Sequence, residues 1–445
     1  MASTYLTRAT SDPQSSNTTA TYSVWVKKTK NGADGCIWGG SYYSSDNTFN
    51  IKFLSGDNLQ IVSVRGASTK ADLRTTRLFR DVNAWYHIVV AIDTTQGTAS
   101  DRIKLYINGV QETSFSTNTQ PSQNENLYLD SGAGANYYIG QRGGNTQYFD
   151  GCMSHFHYVD GSQLAPTVFG STDSTTGEWQ INTSPSYTVG TKGFFVLKDG
   201  NSGTDQSANS NNFTVGGGTL TKTEDCPSNV FATLNPLQSG SITFSNGNNT
   251  QGNTSSTGQN AMTTLGAVAG KFYAEVKCTA VGSNGTNVGF VNLNKSNLMN
   301  QSISSGQDNF SAGLYSGPNN GPIYYSSETT FANVGTTSDG DIIQLAMDLD
   351  NGYLYWGRNG TWLNSGDPTS AGSGTGGLAT SNLGDGHIGF NMWQRNSANA
   401  SWNFGNGYFG TTAVSSAGTN ASGNGIFEYD VPTGYTALST KGLNL

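Results

Sequence analysis

GDIIQLAMDLDNGYLYWGRNGTW, residues 340–362, decides how this chain folds. It opens on aliphatic residues, passes through alternating acids and ends in aromatics, so metal loop, sugar platform and hairpin all compete for it. Ile343, Leu345, Met347 and Leu349 recur at the two-residue period of one strand face. Asp350, Asn351 and Gly352 then make a turn, YLYWGRNGTW runs back, and Asn359-Gly360 supplies the two positive φ angles of a type I′ turn. An EF-hand loop counted from Asp348 finds Asp350 in third place. Its fifth ligand position holds Gly352, however, and its closing glutamate is replaced by Asn359. Consecutive hairpins explain every residue that a metal loop would claim. Because hairpin faces alternate, one of Trp356 and Trp362 belongs in a core, and not both.

The same alternation runs through Thr21 to Tyr158, with no helical periodicity to interrupt it. In TYSVWVKK, Tyr22, Val24 and Val26 share one face. WYHIVVAID (85–93) is apolar on both faces, as a covered central strand should be. RIKLYING sets Ile103, Leu105 and Ile107 on one face before the turn at Asn108-Gly109. The reading is all-β: two antiparallel β-sandwiches of jellyroll type joined by a Gly/Asn/Ser-rich connector.

At 445 residues the chain suits two domains, each large enough for its own core. Only 12% of residues are charged, about half the usual share, but 11% aromatics argue for packing over disorder. The net charge of −8 and pI near 4.9 exclude a basic footprint for nucleic acid or an anionic membrane. No run approaches the roughly 18 apolar residues of a membrane span, and MASTYLTRATSDPQ lacks the apolar core of a signal peptide. Cys36, Cys152, Cys226 and Cys278 form no CxxC pair. Buried or free thiols are expected, with a Cys36 to Cys152 bridge left open.

YSVWVKK (22–28), WYHIVVAID (85–93), LYINGV (105–110), YYIGQR (137–142) and FDGCMSHFHYVDGSQLAP (149–166) together resemble the laminin G-like, concanavalin A-like jellyroll. GKFYAEV (270–276), VGFVN (288–292), the opening stretch, HIGFNMW (387–393) and NFGNGYF (403–409) resemble the SPRY domain, which implies a second sandwich that binds partners through its loops. With the link PSNVFATLNPL (227–237) and the ending FEYDVPTGYTALSTKGLNL (427–445), the combination resembles a family of structural proteins of tailed bacteriophages. The organisation expected is a first sandwich over 1–170, a connector packing on it over 171–240, a SPRY-like sandwich over 241–431 and a tail over 432–445. GFFVLKDG (193–200) is the connector's apolar island, and the connector is a candidate to return a strand to the first domain. The resemblance implies a virion location on tail or capsid, with other virion proteins and host-surface polysaccharide as partners. A homo-oligomer, with a trimer as its fibre form, is compatible, although no heptad seam or collagen repeat enforces one.

Catalysis finds little purchase. Retaining glycosidases need two carboxyl groups about 5 to 5.5 Å apart, and none of Glu112, Glu125, Glu178, Glu224, Glu275, Glu328 and Glu428 has an acidic strand neighbour at the right spacing. His155 and His157 share a face by simple alternation and could chelate a metal, but no third ligand is visible, so a structural pair is expected. His87 reads as a core histidine. Calcium is a candidate cofactor of the first domain, with Asp34, Asp93, Asp101 and Asp150 beside strand ends, where turn capping explains them equally well. Binding is better supported: aromatic faces with planar amides and carboxylates hold sugars. Trp38, Tyr42, Tyr43, Asp46, Tyr137, Arg142 and Tyr148 are the candidates in the first domain, and Trp393 and Arg395 in the second. The function expected is a non-enzymatic tail-fibre or surface adhesin for host glycans. Alternatives are a capsid-decorating or fibre-joining protein and, behind it, a glycan-degrading enzyme.

Overall fold

The computed structural model describes residues 3–9, 16–41, 47–129, 136–198, 202–238, 242–282, 285–295, 309–316 and 321–444. Two compact units divide the chain, Met1–Lys222 and Thr223–Leu445. Both are built mainly from antiparallel strands, and the helical pieces among the described residues are short 3₁₀ turns.

In the first unit the strands are β1 (Tyr5–Ala9), β2 (Thr19–Lys28), β3 (Gly35–Ser41), β4 (Asn47–Phe53), β5 (Asn58–Arg65), β6 (Ser68–Leu78), β7 (Trp85–Asp93), β8 (Ile103–Ile107), β9 (Val110–Glu112), β10 (Phe115–Thr119), β11 (Asn136–Ile139), β12 (Gly151–Asp160), β13 (Gly170–Thr172), β14 (Trp179–Ile181), β15 (Phe194–Val196) and β16 (Thr214–Gly217). They form an eight-stranded sheet, β10-β6-β5-β4-β3-β11-β1-β16, and a six-stranded sheet, β15-β12-β2-β7-β8-β9. The core between them takes the faces the alternation assigns: Tyr22, Val24 and Val26, then Ile88, Val90 and Ile92, against Phe49, Ile51 and Phe53. Each such side chain contributes about 1.5–3 kcal/mol by leaving water. Asn108 and Gly109 turn with φ of 48° and 77°.

The second face of β7 is covered too. Trp179, on the β13-β14 hairpin, donates from Nε1 to His87 Nδ1 at 2.9 Å, while His87 Nε2 and Ser23 Oγ share a 2.8 Å bond. The indole fits because Gly109 and Gly170 carry no Cβ, which would stand 2.4 and 2.7 Å from the ring. Accepting at Nδ1 leaves the proton on Nε2, and burial lowers the His87 pKa to about 3. Folding therefore favours neutral His87. Its contribution to stability is complete above the unfolded pKa near 6.5 and is lost as pH falls toward about 3. In an NMR titration the His87 ring signals are expected to keep their neutral values from about pH 7 down to about pH 4, where an ordinary histidine is already charged. A midpoint near 6.5 would refute the burial.

Residues past 170, expected as a connector packing on the first domain, contribute strands to the first unit. β15 pairs with β12 and β16 with β1, so Phe194–Val196 of the apolar island enter the six-stranded sheet and Phe194, Val196 and Leu197 enter the core. The division at 222/223 falls inside the expected 171–240 segment. A bulge in β12 between Ser154 and His157 breaks the alternation that would have paired His155 with His157. His157 is buried, sharing a 2.6 Å hydrogen bond with Tyr187 Oη and stacking on Phe195 at 3.8 Å. It belongs to packing and not to a metal. All four cysteines are free, so the Cys36 to Cys152 bridge is absent.

In the second unit the strands are β17 (Ile242–Ser245), β18 (Thr250–Asn253), β19 (Gln259–Met262), β20 (Lys271–Ala280), β21 (Thr286–Asn292), β22 (Ser311–Tyr315), β23 (Pro322–Tyr325), β24 (Thr329–Asn333), β25 (Ile342–Asp348), β26 (Tyr353–Arg358), β27 (Thr361–Trp362), β28 (Leu378–Ala379), β29 (Ile388–Gln394), β30 (Ala398–Asn403), β31 (Tyr408–Phe409), β32 (Thr412–Ala413) and β33 (Thr436–Ala437). One sheet runs β17-β18-β30-β20-β25-β26-β27 and the other β19-β29-β21-β22-β23-β24. Ile343, Leu345 and Met347 face the core with Phe290, Phe390, Met392, Trp356 and Trp402. The hairpin's two tryptophans separate as alternation requires. Trp356 Nε1 donates to the Val288 carbonyl at 2.9 Å inside the core, while Trp362 lies across the sheet near Tyr273. The acids that suggested a metal are consumed locally. Asp348 pairs with Lys271 at 2.8 Å and accepts from Asn351, and Asp350 accepts from the Gly270 amide.

The expected tail is part of the fold. Phe427, Val431, Tyr435 and Ala437 pack on Tyr273, Ala346 and Tyr355, so the chain's last segment covers the outer face of β20, β25 and β26. β33 pairs in parallel with β20, and backbone bonds join 230–232 to 438–440. Glu275 on β20, fully buried, holds this cover down. Its two oxygens accept from the amides of Glu428 and Tyr429 at 2.8 Å, from Tyr273 Oη at 2.9 Å and from Asn403 Nδ2 at 3.3 Å.

Candidate functional site

Alternation along β11 decides which tyrosine is available. Ile139 and Tyr137 point into the sandwich, where Tyr137 is fully buried, so Tyr138 between them faces outward and is half-buried. On the neighbouring strand Leu6 is in the core and Tyr5 is outside. The Tyr5 ring lies over the backbone of Gly216 and Gly217, where a Cβ would approach it to 2.2 and 2.8 Å. Tyr148 joins them from the hairpin after β11, whose backbone closes through Phe149 N to Gly140 O and Arg142 N to Thr146 O. Ring centroids lie 6.1 Å apart for Tyr5 and Tyr138 and 6.0 Å for Tyr5 and Tyr148, all tilted. Three partly exposed phenols therefore share the outer face of the eight-stranded sheet at its β11-β1-β16 end.

Polar groups line the same hairpin. Gln147 donates to Asp34 at 2.9 Å and accepts from Lys52 Nζ at 3.3 Å, and its backbone carbonyl receives the Cys36 amide. Burial, helped by the charge of nearby Arg142, lowers the Lys52 pKa. Burial also pushes the Cys36 thiol up to about 12, which removes it as a nucleophile. A shallow cleft beside Tyr148 is lined by Lys28, Lys30, Asp34, Phe53 and Asp150. Such a surface can stack on the apolar face of a planar or ring-shaped ligand and hydrogen-bond around its edge.

Of the candidates read from the sequence, Arg142 and Tyr148 are brought together here. Trp38 and Tyr137 are corrected: both are fully buried and pack on each other, tilted, at 4.9 Å, so neither can meet a ligand. Tyr42, Tyr43 and Asp46 lie outside the described residues. In the second unit Arg395 sits 5.2 Å over the Trp393 ring, but Trp393 is only 5% exposed and a Cβ at Gly258 would touch its indole. That pair is a capped packing contact and not an open platform. The calcium candidates are dispersed. Asp93 accepts from Thr95 and Gln96, Asp101 pairs with Lys104 at 3.0 Å, Asp34 binds Ser55 and Gln147, and Asp150 stands 3.9 Å from Lys30. No cluster of three or more His, Cys, Asp or Glu able to hold a metal occurs among the described residues. Sequence reasoning missed Tyr5, Tyr138 and Lys52. For Tyr138 and Lys52 the signal was present in the alternation beside Ile139 and Ile51.

Residues 2–168 match the concanavalin A-like lectin/glucanases superfamily. No curated protein matches the chain. Among solved structures, the SPRY domain of human HERC1 is similar at 13% identity and a TM-score of 0.31, covering 38% of this chain and 96% of that one. The TRIM65 PSpry domain gives 12% and 0.30, covering 39% and 91%. The native heptameric SAP-like pentraxin of Limulus polyphemus gives 16% and 0.29, covering 44% and 89%. The two-sheet architecture and the family match agree that the first unit is a concanavalin A-like jellyroll.

Proposed function

We propose that the chain is a non-enzymatic structural protein of a tailed-phage particle, displayed on a tail fibre or the particle surface, that binds host glycan through its first unit. The observation that carries the binding reading is the cluster of Tyr5, Tyr138 and Tyr148 on an outer sheet face. Aromatic faces pack against the C–H faces of sugar rings, and the phenol hydroxyls and neighbouring amides reach the sugar edge. The concanavalin A-like fold supports this reading, and the virion setting rests on the sequence resemblance of both halves and the ending.

Labelled protein is expected to bind host cells saturably, with purified surface polysaccharide competing. Tyr5→Ala, Tyr138→Ala and Tyr148→Ala should each raise Kd by roughly tenfold, about 1.4 kcal/mol per lost ring contact. Wild-type protein that binds neither cells nor polysaccharide would overturn the adhesin reading in favour of a role within the particle.

A further inference from the structure

Beside the tyrosines, the outer sheet face carries two cations that form no ion pair among the described residues. Phe49, Ile51 and Phe53 of β4 are in the core, so Asn50 and Lys52 face outward. Asn50 pairs with Gly39, and Gly39 with Tyr138, which sets the three in one row across β4, β3 and β11. The hairpin after β11 occupies the space that Gly39 leaves open. A Cβ there would stand 2.6 Å from the Gln141 carbonyl oxygen and 3.2 Å from Arg142 Cα.

Arg142 thus begins directly above that row, and its guanidinium makes no hydrogen bond or ion pair among the described residues. Among the described residues Lys52 Nζ donates to the neutral Gln147 amide, with the charge of Asp34 nearby. Elsewhere in this unit Lys28, Arg74, Arg77 and Arg80 each meet a carboxylate within 3.3 Å. The nearest acid to the Lys52 pair, Asp34, already accepts from Ser55 N and Gln147 Nε2.

We propose that this site takes an acidic saccharide, its carboxylate between Lys52 and Arg142 and its apolar face on Tyr138. A neutral sugar would satisfy the tyrosine but leave both cations unmatched. A bare anion would do the reverse. Arg–carboxylate contacts are two-pronged and directional, which suits a carboxylate fixed to a ring. With a net charge of −8, long-range attraction cannot gather polyanions, so the selectivity is local.

The inference rests on the glycan-binding reading, and one titration separates the two. Full-length protein is titrated at fixed salt with a polyuronate, with the same polymer after reduction of its carboxyls to alcohols, and with its sulfated form. The polyuronate is expected to bind at least about tenfold more tightly than the reduced polymer. In the Lys52→Gln/Arg142→Gln variant that ratio should fall to about one. Equal binding of polyuronate and reduced polymer by the wild type would overturn the acidic preference and leave the glycan reading standing. A preference that survives in the double variant would move the acid site elsewhere, and binding of no polymer would sink both readings. Tighter binding of the sulfated form would overturn the carboxylate assignment. Chemical-shift or circular-dichroism agreement between variant and wild type guards against misfolding.

Discussion

Glu275→Ala is expected to lower the unfolding free energy of the second unit by about 4 kcal/mol, read as a drop in its denaturant midpoint. The change leaves four converging donors in a dry site: the Glu428 and Tyr429 amides, the Tyr273 hydroxyl and the Asn403 amide. Each abandoned donor costs about 1–3 kcal/mol unless water enters. The loss should also free the segment from Phe427 onward, so hydrogen exchange at Glu428 and Tyr429 should accelerate before the rest of the unit does. A second readout is pH. Burial raises the Glu275 pKa from 4.5 to about 7, outweighing the four donors that favour the carboxylate. Folding then favours the protonated acid. Its contribution is complete below about pH 4.5 and is lost as pH rises through about 7. Glu275→Gln should remove that slope while costing less than Ala, because one amide oxygen still accepts even though the NH₂ faces donors. An Ala variant with an unchanged midpoint would show that the cover does not depend on this carboxylate.

Trp38→Ala should cost the first unit a similar amount, about 4 kcal/mol. The indole is fully buried and has Tyr22, Tyr137, Phe156, Phe194 and Tyr158 around it at centroid distances of 4.9–6.0 Å. Its removal leaves a cavity that ring neighbours on rigid strands cannot fill. Trp38→Phe should cost far less, since Trp38 Nε1 has no hydrogen-bond partner to lose among the described residues. The pair discriminates a core residue from a ligand-contacting one. An exposed platform tryptophan would lose binding on either change and keep the midpoint.

The contrast between Trp38 and Tyr138 shows where the sequence was legible. Strand faces could be read wherever the two-residue period is unbroken, as in FNIKF and GDIIQLAMD, and there the core residues fall as expected. The same rule, applied through Ile139, selects Tyr138 over Tyr137. In GCIWGG it fails because a bulge lies between Cys36 and Trp38, and Ile37 and Trp38 are both buried. Tyr5 was beyond reach for another reason. Its partners come from residues 138, 148 and 216–217, and nothing local in STYLTRA marks that meeting. Glu275 is similar: KFYAEV carries a strand signal, and the return of residues 427–437 is what buries its outer face. Local period fixes which way a side chain points, and distant chain decides whether that direction is wet.

One feature of the first unit bears on how it would behave under load. β1 and β16 lie side by side and antiparallel, with Tyr5 opposite Gly217. Tension entering before residue 5 and leaving after residue 217 would pull both strands from the same end. It would break their hydrogen bonds one at a time instead of shearing several together, so the force needed should be small. The first pair to part is also the one that seats the Tyr5 ring on Gly216 and Gly217. A first unit stretched this way would therefore unseat Tyr5 before the rest of the jellyroll gave way.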